Sequence, residues 1–112
     1  MEISLRPIIQ PISVDSSGAN QIIASNPTQY IYIKQIAIVA NGGANRITLQ
    51  KTNGSTTVDL AIWALKADGS FVFENTQPDL PFWIDIEPGF NVQLDLSAAT
   101  EVSGHIIYGI KK

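Results

Sequence analysis

Apolar and polar residues alternate with a period of two through most of this chain, the spacing of strands that bury one face. Ile47 and Leu49 oppose Thr48 and Gln50, while Val58, Leu60 and Ile62 oppose Asp59, Ala61 and Trp63. Phe82, Ile84 and Ile86 alternate with Trp83, Asp85 and Glu87, and Phe90, Val92, Leu94 and Leu96 with Asn91, Gln93 and Asp95. Near the end Val102, Gly104, Ile106, Tyr108 and Ile110 share one face. Turn chemistry separates the segments at Ser17-Gly18, Asn41-Gly42-Gly43, Asn53-Gly54, Asp68-Gly69 and Glu87-Pro88-Gly89, where Gly and Asn supply the positive φ of tight connections. Strands are expected near 3–14, 20–25, 29–40, 45–51, 57–65, 71–74, 82–87, 90–96 and 101–111. Helical spacing is not sustained anywhere; Leu60–Lys66 comes nearest and still reads as strand.

Many short strands with Gly and Pro turns predict an all-β, two-sheet antiparallel β-sandwich of jelly-roll type, with about eight strands. An immunoglobulin-like sandwich competes, but its Cys and Trp hallmark is missing. The expected core is Ile47, Leu49, Leu60, Ile62, Ile84, Val92, Leu94 and Ile106.

Two regions break the alternation. Tyr30–Ile33 and Ile36–Ala40 are apolar on both faces, which predicts a central strand or one whose second face meets a partner. The change of phase at Lys34-Gln35 predicts a β-bulge between them. The N-terminal stretch carries Ile3, Leu5, Ile8, Ile9, Ile12 and Val14, interrupted by Pro7 and Pro11. Proline donates no ladder hydrogen bond, so residues 1–14 read as an extended arm or an edge strand, ahead of one domain over 15–112.

Composition narrows the chemistry. Only 15% of residues are charged against 45% hydrophobic, so part of the apolar surface is expected to meet a partner. The basic residues are scattered and the formal charge is −3, which argues against nucleic-acid binding. No apolar run approaches a membrane span, and the start lacks signal-peptide features, so no membrane association is expected. The absence of cysteine removes disulfides and thiolate metal sites.

Candidate catalytic groups are few, and no enzyme is expected. The single histidine, His105, lies in a strand pattern with no nucleophile-elbow serine to partner it. Asp85 and Glu87 read as pointing the same way, with Asp95 on the next strand, but calcium needs six to eight oxygens and no Asp-rich loop supplies them. No metal or cofactor is expected. Asn53-Gly54-Ser55 matches a glycosylation acceptor and reads as a turn. Trp63 and Trp83 fall out of phase with the core residues of their strands, on the face expected to hold Asp59, Asp85 and Glu87, where indoles can stack on sugars or anchor a protein contact. The candidate interface is therefore Ile3, Leu5, Ile8, Ile9, Tyr30, Tyr32, Trp63 and Trp83.

The order of segments adds a further expectation. The Tyr30–Ile36 strand, an Asn-Gly turn, Ile47-Thr48-Leu49, Phe82–Ile86, Glu87-Pro88-Gly89, Asn91–Leu96 and the ending Glu101–Tyr108 follow one another. Over roughly residues 28–110 this order resembles the small jelly-roll capsid decoration proteins, also called cement or staple proteins, of epsilon-type short-tailed phages and their relatives. The resemblance implies a non-enzymatic virion protein on the outer surface of the capsid, made in the host cytoplasm. It implies the major capsid protein as partner, and a homo-oligomer, dimer or trimer. It carries no motif, so no residue role comes with it. The alternative from another class is a carbohydrate-binding or host-attachment module stacking sugars on Trp63, Trp83 or tyrosines.

Overall fold

The computed structural model describes residues 7–74 and 84–111. Their secondary structure is nine strands: β1 Ile8–Val14, β2 Gly18–Ile23, β3 Tyr30–Ala40, β4 Asn45–Thr52, β5 Thr57–Leu65, β6 Ser70–Glu74, β7 Ile84–Ile86, β8 Asn91–Leu96 and β9 Val102–Lys111. One sheet, here sheet A, runs β1-β9-β3-β6, with β7 also on β3; sheet B runs β2-β8-β4-β5. Every pairing is antiparallel.

The pairs are nested. The β4–β5 hairpin is innermost, enclosed in turn by β3 with β6 and β7, then β2 with β8, and β1 with β9. That is the order of a jelly roll, a long hairpin rolled into two sheets. The innermost turn is Asn53-Gly54: Gly54 has φ 95°, and Asn53 Oδ1 accepts from the N–H groups of Ser55 at 2.9 Å and Thr56 at 2.7 Å. An Asn-Gly pair closes such a turn cheaply because both residues tolerate the required backbone.

The core lies between the sheets and is almost wholly aliphatic. Ile31, Ile33, Ile36, Ile38, Ile86, Val102 and Ile106 come from sheet A, and Ile47, Leu49, Val92, Leu94 and Leu96 from sheet B. Two contacts close the open sides. Trp63 of β5 meets Phe71 of β6, ring centroids 4.8 Å apart. On the other side Gln10 of β1 donates through Nε2 to Ile22 O of β2, and its Oε1 accepts from the Tyr108 hydroxyl at 3.2 Å. Burial raises the Tyr108 pKa above the ordinary tyrosine value.

The bulge expected at Lys34-Gln35 is present, as a register shift between Ile33 and Gln35 where β3 pairs with β9. It lets Ile31 and Ile33 on one side, and Ile36 and Ile38 on the other, all face the core despite the change of sequence phase. β3 lies inside its sheet, with β9 on one edge and β6 and β7 on the other, but its second apolar face, with Tyr30, Tyr32, Ala37 and Val39, is on the outer side of the sheet and is not fully buried.

A second bulge overturns part of the expected core. The β4–β5 register shifts between Leu49 and Gln50: Gln50 pairs with Asp59, but Leu49 pairs with Ala61. Leu60 is the extra residue, so everything after it changes face. Ala61 and Trp63 turn inward beside Leu49 and Ile47, while Ile62 lies opposite Thr48 and is 48% exposed. Leu60 and Ile84 are half-buried against the core; Ile47, Leu49, Val92, Leu94 and Ile106 are fully buried.

Ile8–Val14 is an edge strand of this domain, paired with β9 along its whole length. Ile12, 3% exposed, belongs to the core. Pro11 sits opposite His105, and among the described residues β1 pairs on one side only, so the missing N–H breaks no described ladder. Ile3 and Leu5, the rest of the expected arm, lie outside the described residues, as do Phe82 and Trp83.

Candidate interaction surface

Register decides which side chains share each outer face. On sheet A the outward rows run from β1 to the far edge. Ile9 stands beside Ile107 and Gln35, and Pro11 beside His105, Ala37 and Val72. Ser13 stands beside Ser103, Val39 and Ser70. Toward the other end Tyr32 lies between Gly109 and Asp85, and Tyr30 beside Lys111. Ile9 at 68% and Val72 at 63% are the most exposed large hydrophobic side chains described, and both lie on this face, on opposite edge strands. An apolar band of Ile9, Pro11, Ile107, Ala37, Val39 and Val72 therefore crosses the whole sheet. Contiguous apolar surface of this kind marks a contact.

Glu74 holds the β6 register position opposite Gln35, Lys34 is exposed at the β3 bulge, and Lys111 and Asp85 lie at one end of this face. There the Tyr30 and Tyr32 rings stack, centroids 6.0 Å apart and 17° from parallel. Burial raises the Tyr32 pKa, and the charges of Asp85 and Tyr30 raise it further. His105 sits at the centre of the band, half-buried between Pro11 and Ala37.

The outer face of sheet B is different in kind. A ladder of amides crosses it: Asn91 Nδ2 donates to Gln21 Oε1 at 2.7 Å, Gln93 Nε2 to Gln50 Oε1 at 2.7 Å, and Gln50 Nε2 to Asp59 Oδ1 at 2.8 Å. Thr57 and Thr52 hydroxyls meet at 2.9 Å beside it. The face is mostly polar, with Ile62 exposed near its β5 edge, and Asn91 Oδ1 is buried and without a hydrogen-bond partner among the described residues.

Several sequence expectations change place. Of the expected interface residues, Ile9, Tyr30 and Tyr32 come together on the outer face of sheet A. Ile8 pairs with Tyr108 and shares its inward side, though its strand-end position leaves it exposed. Trp63 points into the sandwich instead of outward, because of the Leu60 bulge. The acidic residues do not converge: Asp59 and Asp95 are on sheet B, and Asp85 is on sheet A. Glu87 closes one end of the sandwich, bonded to Lys51 Nζ at 2.6 Å, and Lys51 lies 5.3 Å from the centroid of the Phe90 ring. Among the described residues no three His, Asp or Glu side chains cluster as metal ligands would.

Val72 and Ile107 were not expected at the surface band, whereas Ala37 and Val39 belong to the two-faced apolar segment expected to be central or to meet a partner. Only the pairing of β1, β9, β3 and β6 places the four side by side. An open cleft of about 250 Å³, lined by Ala44, Asn45, Arg46, Ala64, Leu65 and Ser97, lies at one end of sheet B.

Fold and faces define a jelly-roll sandwich with one apolar and one amide outer surface. No protein-family model matches this chain, and no curated protein matches it. Among solved structures it is similar to a pentameric capsid protein isolated from metagenomic phage sequences, with 15% identity and a TM-score of 0.46. The match covers 90% of this chain and 60% of the capsid protein, so the chain spans less than two thirds of that relative's length.

Proposed function

We propose that this chain is a non-enzymatic virion structural protein, a capsid decoration protein that binds the outside of a phage head and ties neighbouring capsomers together. The observation that carries this reading is two-sidedness. A cement protein has to hold at least two neighbours, and this small domain offers two broad outer faces of opposite chemistry, an apolar band on sheet A and an amide ladder on sheet B. The order of strands and turns over residues 28–110, which resembles such proteins, points the same way. Shallow contacts of modest strength suffice for this work, because the symmetry of a shell multiplies them. Sparse charge and an acidic balance suit a position outside the shell, away from packaged DNA.

The test is binding to phage heads stripped of their decoration protein, read as occupancy per capsomer and as resistance of the heads to heat. Saturable occupancy with added resistance is the expected result. The competing reading, a carbohydrate-binding module, draws on the stacked Tyr30–Tyr32 pair. Saturable binding on a glycan array, lost in Tyr30→Ala, with no binding to heads, overturns the proposal in its favour.

A further inference from the structure

We propose that Asn53 is a site of spontaneous covalent change in the folded chain: the Gly54 backbone nitrogen displaces its side-chain amide, and the innermost turn becomes aspartate or isoaspartate. The change is independent of what the chain binds, and it distinguishes two positions that look alike in the sequence. Asn-Gly occurs twice, at Asn41-Gly42 and at Asn53-Gly54. The structure arms the second pair and guards the first.

The step needs no oxidant and no cofactor. Solvent hydroxide takes the Gly54 N–H proton, and the nitrogen adds to Asn53 Cγ. The new bond closes a five-membered imide as the Cγ–Nδ2 bond breaks, and Nδ2 leaves as ammonia after taking a proton from water. A water molecule then opens the ring at either carbonyl, giving an aspartyl or an isoaspartyl linkage to Gly54. One water enters in sum and one ammonia departs.

At Asn53 the geometry favours each part of this step. Oδ1 accepts from Ser55 N at 2.9 Å and from Thr56 N at 2.7 Å, which folds the side chain forward over the turn, the direction in which the Gly54 nitrogen lies. The same two N–H groups point at the atom that takes up negative charge as the nitrogen adds, the arrangement of an oxyanion hole. The nucleophile is unobstructed, since Gly54 has no side chain and a Cβ there would meet nothing within 4 Å. Its N–H makes only a long bond of 3.2 Å to the neutral Thr52 hydroxyl. Both residues are exposed, and among the described residues no hydrogen bond holds the departing Nδ2. Nor is the pair freely exchanged: Gly54 has φ 95°, where other side chains are strained, so the turn that folds β4 onto β5 retains the reactive residue.

At Asn41 each part is opposed. Nδ2, the group that has to leave, donates to Glu101 Oε1 at 2.9 Å and to Ser103 Oγ at 2.8 Å. Those bonds tie the side chain to β9 and the segment before it. The Gly42 N–H donates to Asp68 Oδ1 at 2.9 Å, and a nitrogen anion beside a carboxylate is disfavoured by like charge.

Conversion at Asn53 adds a negative charge to a chain whose formal charge is −3, at the Thr52–Thr57 end of the amide face. The isoaspartyl form also routes the main chain through Cβ, which lengthens the innermost turn of the nested hairpins.

The experiment uses the full chain in mildly alkaline buffer at physiological temperature over weeks, one sample folded and one in guanidinium chloride. Each event replaces NH₂ by OH and adds about 1 Da; peptide mapping with isoaspartyl methyltransferase labelling locates it. In the folded chain Asn53 should convert at least about tenfold faster than Asn41, while in denaturant the two should react at similar rates. Asn53→Asp, which keeps an acceptor for both N–H groups, should show no early mass gain, with circular dichroism reporting the retained fold. A folded-state ratio below about tenfold overturns the proposal. A ratio that persists in denaturant places the selectivity in the sequence and overturns it too, as does a mass gain at the parental rate in Asn53→Asp.

Discussion

Asn45 shares strand parity with Ile47 and Leu49, and it is the one polar side chain described as buried, at 4% exposure. Its Nδ2 donates to Ala98 O at 3.0 Å and Thr100 O at 3.2 Å, while its Oδ1 accepts from Ser97 N at 3.1 Å and Ala98 N at 3.3 Å. One amide thus holds the β8–β9 connection against β4. Asn45→Ala strands several of these groups, so urea unfolding should show a loss of about 2–3 kcal/mol; a loss below about 0.5 kcal/mol means the loop is held by other contacts. The inward parity of a polar residue was the sequence signal for this role. Lys51 and Glu87 close the opposite end. The hydrogen bond from Lys51 holds the Glu87 carboxyl below its ordinary pKa, against the opposing effect of burial. A lowered carboxylate pKa adds stability above the ordinary glutamate value, about 4.3, and that stability is lost as pH falls through the lower folded value. Glu87 is 41% exposed, so solvent screening keeps the effect to about 1 kcal/mol or less. Urea midpoints of the parent chain and Lys51→Met should differ at about pH 6 and converge toward about pH 3. An unchanged difference across that range removes the ion pair from the account.

At the scale of elements, strands and turns were legible and one strand's facing was not. The bulge in β3 showed in the chain because Tyr30–Ala40 changes phase around a charged residue. The bulge in β5 left no such mark: Val58, Leu60 and Ile62 alternate without a break. Leu60 becomes the extra residue only because Leu49 pairs with Ala61 across the ladder. The facing has a direct check. Ile62→Thr should change stability by less than about 0.5 kcal/mol, as an exposed strand position allows. Trp63→Ala should cost about 2 kcal/mol or more and Leu94→Ala about 2–5 kcal/mol, because both remove packing from the core. Denaturant unfolding that ranks Ile62→Thr above Trp63→Ala restores the unbroken alternation and moves Trp63 outward. Gly104 has a different reason for being what it is. Its φ is 150°, and a Cβ there would lie 1.8 Å from Ala37 O on the neighbouring strand. Alternation marks it as inward, but the close approach of β3 is a property of the sheet.

For the whole molecule, the nesting of pairs is what turns these elements into a surface. Ile8 pairs with Tyr108 and Gly18 with Leu96, partners separated by most of the chain, whereas β4 and β5 meet through one tight turn. Local turns and alternation do not choose those distant partners; burying one face of every strand in a common core does. Once they are chosen, Ile9, Ile107, Ala37 and Val72, drawn from four separate strands, form one apolar band, and Gln21, Gln93, Gln50 and Asp59 form one amide ladder. The sequence by itself determined the β class, the strand boundaries to within a few residues among the described residues, the turns, the β3 bulge and five of the eight expected core residues. Those follow from backbone preference and period-two burial, which act over neighbouring residues. Only the tertiary structure decided the inward turn of Trp63, the separation of the acidic residues and the contrast between the two outer faces. Each depends on cross-strand register, and a shift of one residue in register moves a whole strand's side chains to the opposite face.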